Sequence, residues 1–100
     1  MTYRVLYTDN VRADIAAHVR YLQDQQVSSE IIENWFVGLF DLVDSLYLWP
    51  LRYPVAEPES RAMGFEVRKA IYGQHLLFYR VDQTQHLVEV LAFRHGARRR

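Results

Sequence analysis

Six residues in the second half of this chain carry side chains suited to meeting an anion: Arg68, Lys69, Arg80, Arg94, His95 and Arg98. Guanidinium groups grip phosphates and carboxylates through paired hydrogen bonds, while lysine supplies a compact point charge. An imidazole titrates near neutrality, so His95 could serve as a general acid, and Glu66 is a conceivable base. Two kinds of chemistry are therefore on offer. One is adhesion to a polyanion or an acidic protein surface; the other is proton transfer at a phosphate held by neighbouring cations.

The charge pattern favours a dedicated basic surface. The formal net charge is zero, yet residues 1–60 hold four arginines against nine acids and residues 61–100 hold eight bases against three acids. Such asymmetry predicts a cationic face on the C-terminal part. Other chemistries lack their residues. Cysteine is absent, which removes disulfides, zinc knuckles and thiol nucleophiles. The four histidines (18, 75, 86 and 95) fall on different segments without a metal-ligand spacing, so no metal is expected. Four scattered glycines make no phosphate loop, and no G-x-S-x-G elbow exists. No cofactor is implied. The N-terminus lacks a signal-like apolar run, and no segment approaches the roughly 20 apolar residues of a membrane span. A cytoplasmic protein without membrane contact is the expectation.

The elements that must position these residues follow from periodicity. Residues 3–8 are short, aromatic and β-branched, and read as a strand. Val11, Ile15, Val19 and Leu22 form one helical stripe, with Asn10 as the expected N-cap. A second helix begins at Ser28 or Ser29 and carries two stripes. Ile32, Trp35, Leu39, Leu42, Leu46 and Trp49 make one, Phe36, Phe40, Val43 and Tyr47 the other; Pro50 ends it. The short link between them predicts an antiparallel helical hairpin. Residues 51–64 read as a loop. From Phe65 the period becomes two, with strands over 65–71, 75–81 and 86–93 joined by short turns, an antiparallel meander. The sum is a single α+β domain over residues 1–100, β-α-α-β-β-β, its helical hairpin packed on an antiparallel sheet.

The stretches "GFEVRKAIYGQHLLFYRVD" and "HLVEVLAFRHGARR" resemble the C-terminal half of the RelE/ParE superfamily of bacterial toxins, and "VRADIAAHVRYL" with Trp35 fits its front half. The likeness spans nearly the whole chain. It implies the toxin of a type II toxin–antitoxin module, of the kind called plasmid stabilisation proteins, held silent by a cognate antitoxin. It also offers two targets. ParE-like members inhibit DNA gyrase by binding, with no reaction of their own; RelE-like members cut messenger RNA on the ribosome. In the ribonuclease alternative, His95, Arg68 and Glu66 would be the catalytic set. However, Leu76 stands where such enzymes usually place an arginine, and no tyrosine follows Tyr79. The ending His95-Gly96-Ala97-Arg98 is similar to ParE-like proteins. The resemblance thus implies gyrase as the target, met by Arg68, Lys69, Arg80, Arg94, His95 and Arg98. The antitoxin would use the second stripe, Phe36, Phe40, Val43 and Tyr47, through apolar anchors and acids.

Overall fold

In the computed structural model, residues 2–96 are described, and they form a four-stranded sheet with a helical hairpin on one face. Strand β1 (Arg4–Tyr7) leads into α1 (Asp9–Asp24). The cap of α1 is Thr8, two residues earlier than Asn10: its hydroxyl accepts from Val11 N at 3.2 Å. Asn10 is taken up elsewhere, donating to Leu91 O at 2.8 Å. Helix α2 (Ser29–Asp44) is capped by Ser28, whose hydroxyl accepts from Ile31 N at 3.3 Å. It ends before Pro50, passing into a tight 3₁₀ turn at Ser45–Tyr47.

The segment expected to be a loop contains a third helix, α3 (Glu57–Met63). Pro58 lies in its first turn, where a missing N–H is no loss, and Glu57 and Glu59 suit the positive helix end. Gly64, at φ 82°, closes it in the left-handed region. None of its seven residues is buried, so it carries no apolar stripe that periodicity could have detected.

The meander forms as expected from β2 (Arg68–Tyr72), β3 (His75–Asp82) and β4 (Leu87–His95). The sheet as a whole is mixed, however, in the order β1-β4-β3-β2, because β1 adds to β4 in parallel. Leu91 is a bulge in β4: Phe78 pairs with Ala92 and Tyr79 with Val90. Where β1 stops, polar side chains at the start of α1 take over the ladder of β4. Thr8 Oγ1 donates to Val90 O at 2.7 Å, and Phe93 N donates to Asp14 Oδ2 at 2.9 Å. These bonds satisfy backbone groups that the ended strand would otherwise leave unpaired.

Between hairpin and sheet lies the main core: Val11, Ile15, Leu39 and Val43 against Ala70, Leu77, Val90 and Phe93. Leu46, Tyr79 and Val88 extend it beneath the 3₁₀ turn. On the opposite sheet face a smaller cluster, Ala56, Val67, Phe78 and Ala92, lies beside α3.

Candidate functional site

Side chains on a strand alternate between faces, so neighbouring residues diverge. The register sorts the expected basic cluster accordingly. Lys69 pairs with Phe78, Leu76 with Arg94, and Arg80 with Glu89, all on the face away from the hairpin, called here the outer face. Arg68, opposite Tyr79, and His95, opposite His75, point to the helix side.

Each cation has its own circumstances. The guanidinium of Arg68 is a clamp. Its Nη1 donates to Leu51 O at 3.1 Å and Tyr53 O at 2.7 Å, while Nη2 meets Glu66 Oε1 at 3.3 Å. Only 16% of that side chain is accessible, so Arg68 holds the segment after α2 onto β2. Glu66 is thereby engaged as its counter-ion. Arg80 lies 3.4 Å from Glu89 and 3.7 Å from Asp82, with its guanidinium over the Phe65 ring. Arg94 stacks over Phe78 with its charge outward, and it and Lys69 form no ion pair among the described residues. Arg98 lies outside the described residues. The outer face thus gathers Lys69, Arg80 and Arg94. Arg4 on β1, opposite Leu87, extends it on a position the sequence reading did not single out.

On the helix side, His95 joins a cleft that sequence reasoning missed. Its walls come from the hairpin tip and the β2–β3 turn: His18, Tyr21, Leu22, Trp35, Tyr72, Gly73, Gln74, His75 and His95 surround about 910 Å³. His75 sits at its centre, its ring 4.4 Å from that of His18, 5.0 Å from that of His95, and stacked on Phe93 at 4.5 Å. Burial, then the neighbouring imidazoles of His18 and His95, push the His75 pKa down to about 4. Burial also lowers that of His18, with His95 adding to the effect. His75 is therefore uncharged near neutrality. Tyr72 is fixed there by donating to Trp35 O at 2.6 Å. Gly38 makes room for it, since a Cβ at that position would strike the Tyr72 hydroxyl. Among the described residues no group of histidines and acids is arranged to hold a metal. The one available signal was spacing: His18 borders the α1 stripe and Trp35 lies on the first α2 stripe, but which strand they would face depends on the fold.

The second stripe of α2 also divides. Val43 is fully buried in the core. Phe36 and Phe40, edge to face at 4.5 Å, line a groove of about 640 Å³ between α1 and α2 with Tyr7, Arg12, Ile15, Ala16, Val19 and Arg20. The Tyr7 hydroxyl is buried there without a partner, and its pKa, raised to about 12 first by burial and then by Asp44, keeps it a donor. Tyr47 lies apart from this groove, in an exposed apolar patch with Leu48, Trp49 and Leu51.

Residues 5–100 match the family described as ParE toxin of type II toxin–antitoxin system, parDE. The chain belongs to the ParE toxin family. Two solved structures share its fold. The toxin–antitoxin complex RelBE from Mycobacterium tuberculosis aligns at 20% identity and TM-score 0.60, over 95% of this chain and 99% of that one. The archaeal RelE–RelB complex from Pyrococcus horikoshii aligns at 18% identity and TM-score 0.60, over 98% and 99%. No curated protein matches at a significant level. The ParE family match makes this a toxin of a type II toxin–antitoxin system, as the resemblance implied. Among the described residues, no helix is long and apolar enough to cross a membrane.

Proposed function

We propose that this ParE family member inhibits DNA gyrase in the cytoplasm by binding it through the outer sheet face, and that its own chemistry is not required. One observation carries the reading: the proton-transferring candidate and the unpaired cations lie on opposite sides of the sheet. His95 opens into the helix-side cleft, whereas Lys69 and Arg94 project from the outer face. Arg68 shares the helix side but is spent on Leu51 O, Tyr53 O and Glu66. A ribonuclease needs its acid and its phosphate-neutralising cation at one phosphorus, and the described residues supply no such pair. A cationic surface with apolar flanks at Phe65 and Ile71 suits docking onto an acidic or DNA-bearing partner.

The antitoxin, in this reading, lays an acidic, apolar-anchored segment into the groove between α1 and α2. Phe36 and Phe40 offer the apolar floor, and Arg12, Arg20 and the unpartnered Tyr7 hydroxyl await its acceptors. Such a pairing would serve plasmid stabilisation, the role associated with these modules. The deciding experiment compares supercoiling by purified gyrase with messenger RNA integrity on translating ribosomes, each with added toxin. Inhibited supercoiling with trapped gyrase–DNA cleavage complexes and intact RNA is expected. RNA cleavage with normal supercoiling would transfer the assignment to the ribonuclease branch. Co-expression with the product of the neighbouring gene should yield a stable complex that Phe40→Asp breaks.

A further inference from the structure

We propose that the crevice between α3 and the outer sheet face receives one apolar side chain of a polypeptide, while a carboxylate next to it in that polypeptide meets Arg94. This rests on the outer face being the target-binding surface, and it makes the contact there one with protein rather than DNA. The crevice follows from how α3 is held. With none of its seven residues buried, the helix has no apolar stripe to press onto the sheet. It is pinned by polar bonds around Ser60 instead. Ser60 Oγ donates to Ala56 O and accepts from Val67 N, each at 2.8 Å, and Ala56 N donates to Val67 O at 2.7 Å. Past this point Ala62 and Met63, both exposed, roof a gap of about 150 Å³ over Val67, Phe78 and Ala92.

Size and charge select the occupant. A gap this small lies below the roughly 300–1,000 Å³ of sites for small molecules, so it takes a single side chain. Its floor is buried and apolar, which favours a hydrocarbon. The mouth carries one charge of each sign: Arg94, its guanidinium 5.4 Å from the Phe78 ring centre, and Glu59. Neither is in an ion pair among the described residues, and Asn10 beside them is spent on Leu91 O. Lys69, opposite Phe78 on β2, adds a second unpaired cation, so the surroundings favour an acid. A phosphodiester backbone has no apolar group to fill the gap, and Glu59 repels it. A polypeptide supplies an apolar group and a carboxylate from neighbouring residues, and its N–H groups suit Glu59 as acceptor. An apolar anchor of this kind carries a large share of a protein interface.

The test uses the full chain. Met63 is one of two methionines, so its ¹³C-labelled methyl group reports on the roof of the gap, and Met63→Leu assigns its signal. The labelled protein is titrated with acetyl-Leu-Glu-amide, acetyl-Leu-Lys-amide and acetyl-Gly-Glu-amide. We expect the first to shift the Met63 signal and to bind roughly 10-fold more tightly than either of the others. Ala62→Phe, at an exposed position, should fill the gap and abolish that binding with an unchanged circular dichroism spectrum. Arg94→Ala, also exposed, should erase the preference for Glu over Lys. Gyrase binding is then measured without DNA, where Ala62→Phe should weaken it roughly 10-fold. A Met63 signal unmoved by acetyl-Leu-Glu-amide, or equal binding of the three probes, overturns the proposal. So does gyrase binding that requires DNA, or that Ala62→Phe leaves intact. A parent chain that ignores gyrase yet still discriminates among the dipeptides supports the crevice and refutes the gyrase reading alone.

Discussion

The two faces of the sheet use the same basic residue types in opposite ways. On the helix side, Arg68 points inward and is consumed by two carbonyls and Glu66, and burial disfavours the charged forms of His75 and His18. On the outer side, Arg94 and Lys69 keep their charge toward solvent, and Arg80 is shared between Asp82 and Glu89. Arg68 and Lys69 are adjacent in the chain, as are Arg94 and His95, yet each pair is split by the pleat. A basic stretch in a strand is therefore two half-clusters with different duties. One half holds the fold together, and the other is left for a partner.

Breaking the clamp should give the largest effect. Arg68→Ala strands two carbonyls and removes a charged donor, and should cost about 3 kcal/mol, seen as a melting temperature lowered by roughly 10 °C or more. Lys69→Ala with Arg94→Ala should shift the melting point hardly at all. Equal losses from the two variants would erase the distinction between the faces.

The imidazole cluster should come next. The folded-state pKa of His75 is depressed, so the folded protein resists protonation that the unfolded chain accepts near 6.5. Stability from the neutral ring is then complete above that pH, shrinks as pH falls, and is gone below about 4. The span is worth about 3 kcal/mol. Denaturant titrations from pH 7 to pH 4 should show this slope, and His75→Phe should flatten it.

On the outer face, Lys69→Glu with Arg94→Glu should weaken gyrase inhibition by roughly 10-fold, or about 1.4 kcal/mol, with native melting. An undiminished inhibitor would move the docking surface elsewhere. Smallest is Tyr79→Phe on the helix side. The Tyr79 hydroxyl is buried and donates to Pro50 O at 2.6 Å, and its removal should cost about 1 kcal/mol by denaturant unfolding.

Much of the architecture was legible because it rests on local rules. Val11 and Ile15 of the α1 stripe and Leu39 and Leu46 of the first α2 stripe face the core, Ser28 caps α2, and the meander falls near its expected bounds. What escaped depended on distant pairing or on elements without a buried side. Helix α3 has no apolar stripe to betray it. The cleft brings His18, Trp35, His75 and His95 together from four elements, a meeting that no single segment encodes. The division of Arg68 from Lys69 could have been read from strand alternation alone. The bulge at Leu91 shifts the phase between Val90 and Ala92, and that shift was hidden.

The parallel ladder between β1 and β4 sets an order of assembly. Arg4 pairs with Leu87 and Tyr7 with Val90, so β1 has no mate until β4 is in place. The hairpin and the antiparallel meander can form from local contacts, but β1 joins the sheet only by closing a loop that spans most of the described residues. A chain cut before β4 therefore lacks the framework that presents either face.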